Sequence, residues 1–453
     1  MSTTFLVTIQ TRRIHTQQLG RFFLVPVWYV STNNQTRPLQ IAVSLLLYQP
    51  PPTFVSIMNL VNSTVIHNGC MNSLIHAIKQ NDGVALQTAL NNGTIGPNTT
   101  YLLDGKSRGL AYMAARFGSI GCVNVFTNNG IALDGEDENG ENYLHVAARF
   151  KNNAYIRAIL LLTGIQPNVD LVSPQTGKTP LMIAAETGAV FAVSALLDYG
   201  ADPNIPDKLG RLPLHGASEH GRYKCIYRLL EKRPGIKVVD VNAVTEITGQ
   251  TALHLAVSCN SHSCVSALTQ NGANPNILDY SGRAPSQIIP KIPYSTMSMN
   301  VTRVCLASLL KAGADPNATL PNSGDSLLHM AAKMGSPKSI EVLLEHKADV
   351  HRKNLLGQTP LHLAAACTYA SIENRQTCLR LLLKAGADPN AQTLNRDTPL
   401  HESLVHLDSW CTDRLFTSGA DPFIKNLQGM SPMTMAEAEG KYEHLHGMHS
   451  SYM

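Results

Sequence analysis

The sequence is short of several features that mark common classes of protein. Only 15% of its 453 residues are Asp, Glu, Lys or Arg, and the formal net charge is +4. Because nucleic-acid binding depends on clustered Lys and Arg, a small imbalance without a basic run gives no sign of it. Neither apolar patch near the N-terminus reaches the ~18 residues that a transmembrane helix needs. We therefore expect no nucleic-acid partner and no membrane span.

Motifs for common enzyme chemistry are also missing. No H-E-x-x-H, G-x-S-x-G or G-x-G-x-x-G occurs. Gly177-Lys178-Thr179 resembles the end of a P-loop, but Val172 stands where that loop requires Gly. His444, His446 and His449 are close in sequence, yet too few other ligands accompany them to complete a metal shell. We expect no catalytic residue, no cofactor, no metal and no small-molecule substrate.

Cysteines are scattered, and acidic residues are missing from residues 1–68. The nine cysteines form no C-x-x-C pair, which favours reduced, packing thiols and a cytoplasmic or nuclear location. The first acidic residue is Asp82, whereas Arg12, Arg13, Arg21 and Arg37 precede it. Because Arg and Ser without acids are typical of mitochondrial transit segments, mitochondrial targeting is an alternative. We interpret residues 1–68 as a poorly defined, acid-free N-terminal region.

One recurring phrase dominates the rest of the chain. Its clearest copy is TPLHLAA at 359–365, and TALHLAV at 251–257 and SLLHMAA at 326–332 follow the same frame. Successive copies lie alternately 33 and 37–42 residues apart, and Gly stands four residues before the Leu of most copies. Periods of this length are typical of repeat proteins.

Each part of the phrase predicts a part of a two-helix repeat. Thr caps a helix, Pro fits its first turn, and Leu with two Ala leaves one face small enough for a close neighbour. A second helix follows, as in SIEVLLEH at 339–346, where apolar residues recur at helical spacing. A turn with Gly ends it. The predicted repeat is helix, turn, helix and extended turn.

These residues resemble the ankyrin-repeat family, whose 33-residue repeat carries T-P-L-H-x-A. The resemblance implies an all-α solenoid of stacked helix-turn-helix repeats with extended hairpin turns over residues 69–440, followed by a short His-containing tail at 441–453. The longer repeats are expected to carry extra loops, including one at 290–300. Repeats 1 to 11 are predicted near 71–107, 108–140, 141–177, 178–210, 211–249, 250–282, 283–324, 325–357, 358–396, 397–429 and 430–440.

The resemblance also assigns roles to recurring polar residues. A structural role, in which the imidazole bonds to the backbone of the adjoining repeat, is implied for His145, His215, His254, His329, His362 and His401. Asparagines in the ADPN turn resemble hydroxylation targets of the family, which makes Asn204, Asn317 and Asn390 candidates for that modification. The alternative is that these asparagines only form the turn.

The expected function is binding of unidentified proteins without catalysis. In this architecture the turn tips and the exposed side of the first helices line a concave face, where packing leaves residues free to specify a partner. We expect an intracellular scaffold or adaptor. The candidate partner-binding residues are Glu138, Arg149, Phe150, Glu186, Lys208, Glu219, His220, Tyr280, Lys333, Met334 and Leu355.

An alternative is a substrate-recruiting adaptor of a ubiquitin ligase. Families with that role carry a C-terminal SOCS or F-box segment. The stretch from Met433 to Met453 is expected to be too short for such a segment.

Overall fold

The structure is a computed structural model, and the chain divides into two compact units, Met1–Gly69 and Cys70–Met453. Each unit is described by itself. The residues that the structure describes are 6–15, 22–32, 35–38, 73–92, 100–103, 106–131, 133, 136–137, 139–162, 167–288, 296–368, 370–405 and 409–438.

The N-terminal unit contains a three-stranded antiparallel sheet in the order β1-β2-β3. Its strands are β1 (Leu6–His15), β2 (Phe22–Thr32) and β3 (Gln35–Pro38). Ile9 is opposite Trp28, and Val30 is opposite Arg37. This sheet was not expected for a region without repeats. Its strands are rich in Val, Ile, Thr and aromatic residues, which favour extended backbone.

The second unit consists of paired helices, as the repeat frame predicts. The first helices of the pairs are α1 (73–79), α3 (Leu110–Phe117), α5 (Tyr143–Arg149), α7 (Pro180–Thr187), α9 (Pro213–Glu219), α11 (Ala252–Ser258), α14 (Leu327–Lys333), α16 (Pro360–Ala365), α18 (Pro399–Val405) and α20 (Pro432–Ala438). The second helices are α2 (Gly83–Asn91), α4 (Gly121–Asn128), α6 (Asn153–Leu162), α8 (Val190–Asp198), α10 (Tyr223–Leu230), α12 (His262–Gln270), α13 (Thr296–Lys311), α15 (Pro337–Glu345), α17 (Ile372–Lys384) and α19 (Ser409–Thr417).

Repeats 1 and 7 depart from the plain helix pair. A hairpin of β4 (Thr100–Leu103) and β5 (Lys106–Gly109) leads into α3. In repeat 7 a short 3-10 helix, Pro285–Ile288, takes the place of the first helix. The predicted loop at 290–300 is wrong in its second part, since α13 begins at Thr296. Pro290 and Pro293 both precede that start, so neither ring interrupts the helix.

The caps of α7 follow the predicted chemistry. Thr179 precedes α7, its side chain accepts a hydrogen bond from the backbone N–H of Met182 at 3.3 Å, and Pro180 occupies the first turn. Gly188 ends the same helix in the left-handed region, with φ of 81°. Local residues therefore set both ends of this helix before any neighbour contributes.

The helices stack in two rows. Second helices pack side by side from α2 through to α19. First helices pack in one run from α3 to the 3-10 helix and in another run from α14 to α20, with weaker contact between the two runs. The core lies between the rows, where Leu144, Leu181, Leu253 and Leu361 of the phrase are buried. The paired alanines allow this close approach because they add little bulk.

No helix among the described residues is both long and apolar enough to cross a membrane.

Candidate functional site

Five histidines each join their repeat to the first residue of the next one, as the resemblance implies, and His215 bonds a carbonyl near the end of its own repeat. Nε2 of His254 lies 3.0 Å from the carbonyl oxygen of Arg283, and Nε2 of His362 lies 3.1 Å from that of Asp397. The other bridges run from His145, His215, His329 and His401 to the carbonyls of Lys178, Ala243, Gln358 and Met430. The predicted structural role is confirmed.

The second ring nitrogen is engaged as well. In repeat 6 the backbone N–H of Thr251 donates to Nδ1 of His254 at 3.0 Å. Because a carbonyl can only accept, Nε2 must carry the proton, and the ring is held neutral. Burial lowers the pKa of all six imidazoles, that of His362 to about 4. A ring with both nitrogens bonded in this way is a structural bridge.

The extended turn between a second helix and the next first helix is called a finger here. Neighbouring fingers are joined by backbone hydrogen bonds: Tyr280 N–H donates to Thr248, Leu394 to Leu356 and Leu427 to Asn395, at 2.9–3.0 Å. Gly249, with φ of 66°, leaves room for the next tip, since a Cβ there would lie 2.4 Å from the Tyr280 ring. The tips of these neighbouring fingers are therefore in direct contact.

Repeats 3 to 5 carry charge pairs that link a finger to the end of its first helix. Arg149 makes two hydrogen bonds to Glu141, at 2.7 and 2.8 Å. Lys178 bonds Glu186 at 2.7 Å. In each pair the partners are eight residues apart, with the sign of the charges reversed between repeats 3 and 4.

Arg211 extends the same network in repeat 5. It bonds Glu219 at 2.8 Å and Asp207 at 2.8 Å, and it lies 3.9 Å from Glu186. Burial opposes ionisation of Asp207, but the hydrogen bonds from Arg211 outweigh it and lower the pKa of the carboxyl. These charged side chains therefore pair with one another within the protein.

The predicted partner-binding residues fall into two groups. Arg149, Phe150, Glu186, Glu219 and His220 come together at the C-terminal ends of α5, α7 and α9, three helices that pack side by side. Three of them take part in the charge pairs, Phe150 lies beneath the guanidinium of Arg116, and His220 bonds the carbonyl of Gly216.

The remaining residues lie on fingers or on α14. Lys208, Tyr280 and Leu355 are exposed tips of three separate fingers. Lys333 is exposed at the end of α14, and Met334 beside it is half-buried. Glu138 lies outside the described residues, as do the histidines of the 441–453 tail.

The three candidate asparagines connect neighbouring fingers. The side-chain amide of Asn204 donates to the carbonyl of Val238. The Oδ1 atoms of Asn317 and Asn390 accept from the backbone N–H groups of Asp349 and Asp421, at 2.8 and 2.7 Å. Their positions are those of turn formers that also staple adjoining repeats.

Most cysteine thiols of the described residues are buried. Burial raises the pKa of Cys225 and Cys264 to about 11, which keeps them protonated. No group of three or more His, Cys, Asp or Glu side chains in this part of the chain could hold a metal ion.

Two sets of residues were missed by sequence reasoning. The partners Glu141, Lys178 and Arg211 could have been found from charges that recur eight residues apart. The basic residues on later fingers, Arg352 and Lys425 among them, gave no recognisable sequence motif.

Family models cover much of the helical unit. A model of ankyrin repeats (3 copies) matches residues 153–242 and 297–393, and a model of a single ankyrin repeat matches residues 248–280. The first range contains α6 to α10, the second contains α14 to α17, and the single repeat contains α11 and α12.

The chain is also similar to curated proteins. NF-kappa-B inhibitor delta of Mus musculus is 31% identical over 273 residues, which are 59% of this chain and 74% of that protein. The B-cell lymphoma 3 protein homolog of Mus musculus is 32% identical over 50% of this chain and 49% of its own. E3 ubiquitin-protein ligase KEG of Arabidopsis thaliana is 26% identical over 59% of this chain, which spans only 18% of that relative.

The repeat frame, the histidine bridges, the stacked helix pairs and these similarities agree: the chain belongs to the ankyrin-repeat family.

Proposed function

We propose that the chain is a non-enzymatic intracellular adaptor that binds partner proteins through its fingers and the exposed ends of its first helices. The observation that carries this proposal is that buried and exposed side chains occupy different, recurring positions of the repeat. Leu, Ala and His of the phrase are buried where they occur, whereas the side chains of tips such as Tyr280 and Leu355 are 68% and 63% exposed. Exposed side chains on a rigid, stacked frame are suited to recognition.

Affinity capture from the source cell tests this function. The full chain is compared with a variant that carries Phe150→Ala, Tyr280→Ala and Lys333→Ala. The matched control is Phe191→Ala on α8, which removes another exposed ring from the second-helix row. We expect the triple variant to lose partners that the control retains. Equal recovery by the chain and by an unrelated bait would contradict the proposal.

The names of the relatives suggest the first purified partner to test. One relative is an NF-kappa-B inhibitor, and the match spans 74% of it. We therefore propose NF-kappa-B subunits as the first candidates, measured by calorimetry with the full chain. Binding that disappears in the triple variant supports this choice, and the absence of heat at micromolar concentrations removes it.

A second candidate is recruitment of substrates to a ubiquitin ligase. It is favoured by the similarity to a relative named as an E3 ubiquitin-protein ligase, although the chain spans only 18% of it. Ubiquitin ligase subunits should then accompany the chain in cross-linked complexes. If the complexes contain no such subunits, the ligase role is removed and the adaptor function remains.

The asparagine staples stay candidates for hydroxylation. The amide oxygens of Asn317 and Asn390 already bond the next finger, so an added hydroxyl would have to leave these bonds in place. Peptide mass spectrometry of protein from its own cell decides the question, and unmodified peptides for Asn204, Asn317 and Asn390 would remove the modification.

A further inference from the structure

Three consecutive fingers near the C-terminal end carry exposed leucines. Leu355, Leu356, Leu394 and Leu427 are 63–68% exposed. We name these four side chains the leucine ridge. Contiguous exposed apolar groups are unusual on a protein surface and mark sites of interaction.

The fingers beneath the ridge are held together by backbone contacts. The N–H of Leu355 donates to Ser323, that of Leu394 to Leu356 and that of Leu427 to Asn395, at 2.9–3.0 Å. A Cβ on Gly357 would lie 2.7 Å from the backbone nitrogen of Leu394, so these two fingers touch directly. The backbone that carries the leucines is therefore joined from one finger to the next.

The tips beside the leucines carry basic side chains, whereas Asp349, Asp388 and Asp421 lie earlier in the same fingers and Asp397 follows Arg396. The finger segments 351–357, 390–396 and 423–429 contain no Asp or Glu. They contain Arg352, Lys353, Arg396 and Lys425, all exposed. These three tip segments therefore carry a net positive charge, and this charge complements carboxylates.

We propose that the leucine ridge docks an acidic segment of a partner protein that carries apolar side chains at regular intervals. The apolar side chains would cover the leucines, and the carboxylates would lie against Arg352, Arg396 and Lys425. This proposal rests on the proposed function and specifies the partner for one part of the surface. The four leucines offer no flat ring on which a nucleic-acid base could stack, and Phe423 on the third finger gives only one exposed phenyl ring beside them. The ridge therefore suits a peptide better than a single strand.

The test uses the full chain and a fluorescent 20-residue peptide in which Leu recurs at helical spacing among Glu residues. Two comparison peptides replace every Glu with Lys or every Leu with Ser. In fluorescence anisotropy we expect the acidic peptide to bind at least tenfold more tightly than either, and to weaken as salt rises because its charges are screened. Equal binding of the lysine peptide would overturn the proposal.

Variants locate the binding site. Leu355→Ser with Leu394→Ser and Leu427→Ser should weaken the acidic peptide at least tenfold, as should Arg352→Glu with Arg396→Glu and Lys425→Glu. Phe191→Ser is the matched control, since that ring is 70% exposed but lies on α8. All these side chains are exposed, so we expect the circular dichroism of each variant to match the parent. Unchanged peptide binding in the leucine variant would overturn the proposal.

Other occupants give different results. A single-stranded oligonucleotide that binds more tightly than the acidic peptide would show that the ridge serves nucleic acid. A dimer in sedimentation that the leucine variant abolishes would show that a second copy covers it. Both results would overturn the proposal.

The two proposals fail separately. If the full chain captures no partner, the adaptor function fails whatever the peptide does. If the leucine variant retains every captured partner, the ridge proposal fails and the adaptor function stands.

Discussion

The surface of repeats 3 to 5 and that of repeats 8 to 10 use their charges differently. In the first region, charges eight residues apart pair with each other, as Lys178 does with Glu186. In the second region Asp325 and Lys333 are also eight residues apart. The carboxylate of Asp325, however, accepts hydrogen bonds from the side chains of Ser323 and Asn354. The same scaffold thus pairs its charges with each other in repeats 3 to 5 and presents leucines beside basic tips in repeats 8 to 10. Stacked repeats can change their surface while keeping their core.

The largest expected effect is a difference in the free energy of unfolding between a core substitution and a tip substitution within the second region. Leu361→Ala removes a buried side chain of α16 and should lower the free energy of unfolding by ~2–5 kcal/mol, because it leaves a cavity. Leu355→Ala removes an exposed one and should change it by less than ~0.5 kcal/mol. Urea unfolding of both variants checks this contrast. Equal losses would mean that the ridge supports the fold.

Acid should weaken both regions through the histidine bridges. The folded pKa of His362 is about 4, below the 6.5 of a free imidazole, so the unfolded chain binds the extra proton first. Stability from this group is complete above pH 6.5 and is lost as the pH falls towards 4, by roughly 3 kcal/mol.

The matched variant for that pH effect is His362→Gln, because Gln287 occupies the same position in repeat 7. Unfolding of parent and variant is followed between pH 7 and pH 4. The variant should show a smaller loss of stability over that range. Identical slopes would indicate that His362 does not carry the effect.

A smaller effect is expected at the joint between the two regions. In repeat 7 the side-chain oxygen of Gln287 accepts from the N–H of Ala284, but its buried Nε2 has no hydrogen-bond partner among the residues that the structure describes. Gln287→His would supply the missing bridge and should stabilise the chain by ~1 kcal/mol.

Hydrogen exchange measures that change locally. Repeat 7 of the parent chain is expected to exchange faster than its neighbours, and Gln287→His should slow it. If repeat 7 is already as protected as repeats 6 and 8, the joint is not weak. An unrelated exposed site, Phe191→Ala, serves as the control.

The smallest effect concerns the charge pairs of the first region. A double-mutant cycle of Lys178→Met and Glu186→Gln should give a coupling free energy of ~0.2–1 kcal/mol, since partly exposed pairs contribute little. High salt should reduce it. Neither change should alter binding of the acidic peptide to the leucine ridge, and an altered affinity would mean that the two regions are coupled.

Much of the helical unit could be predicted because its signals are local. Thr179 and Pro180 start α7, and Gly188 ends it, all within one short segment. The start of α13 at Thr296 and the sheet of residues 6–38 were not predicted. Neither follows the repeat frame, so the frame could not place them.

The sequence by itself determined the repeat, the caps and the buried leucines, and its resemblance to a family implied the bridging role of the histidines. Only the tertiary structure decided which charges pair and which side chains protrude. The reason is distance along the chain. Caps act over three or four residues, whereas a bridge such as that from His362 to Asp397 spans 35 residues and forms only when repeats stack. The same stacking brings the tips of successive fingers together into a ridge.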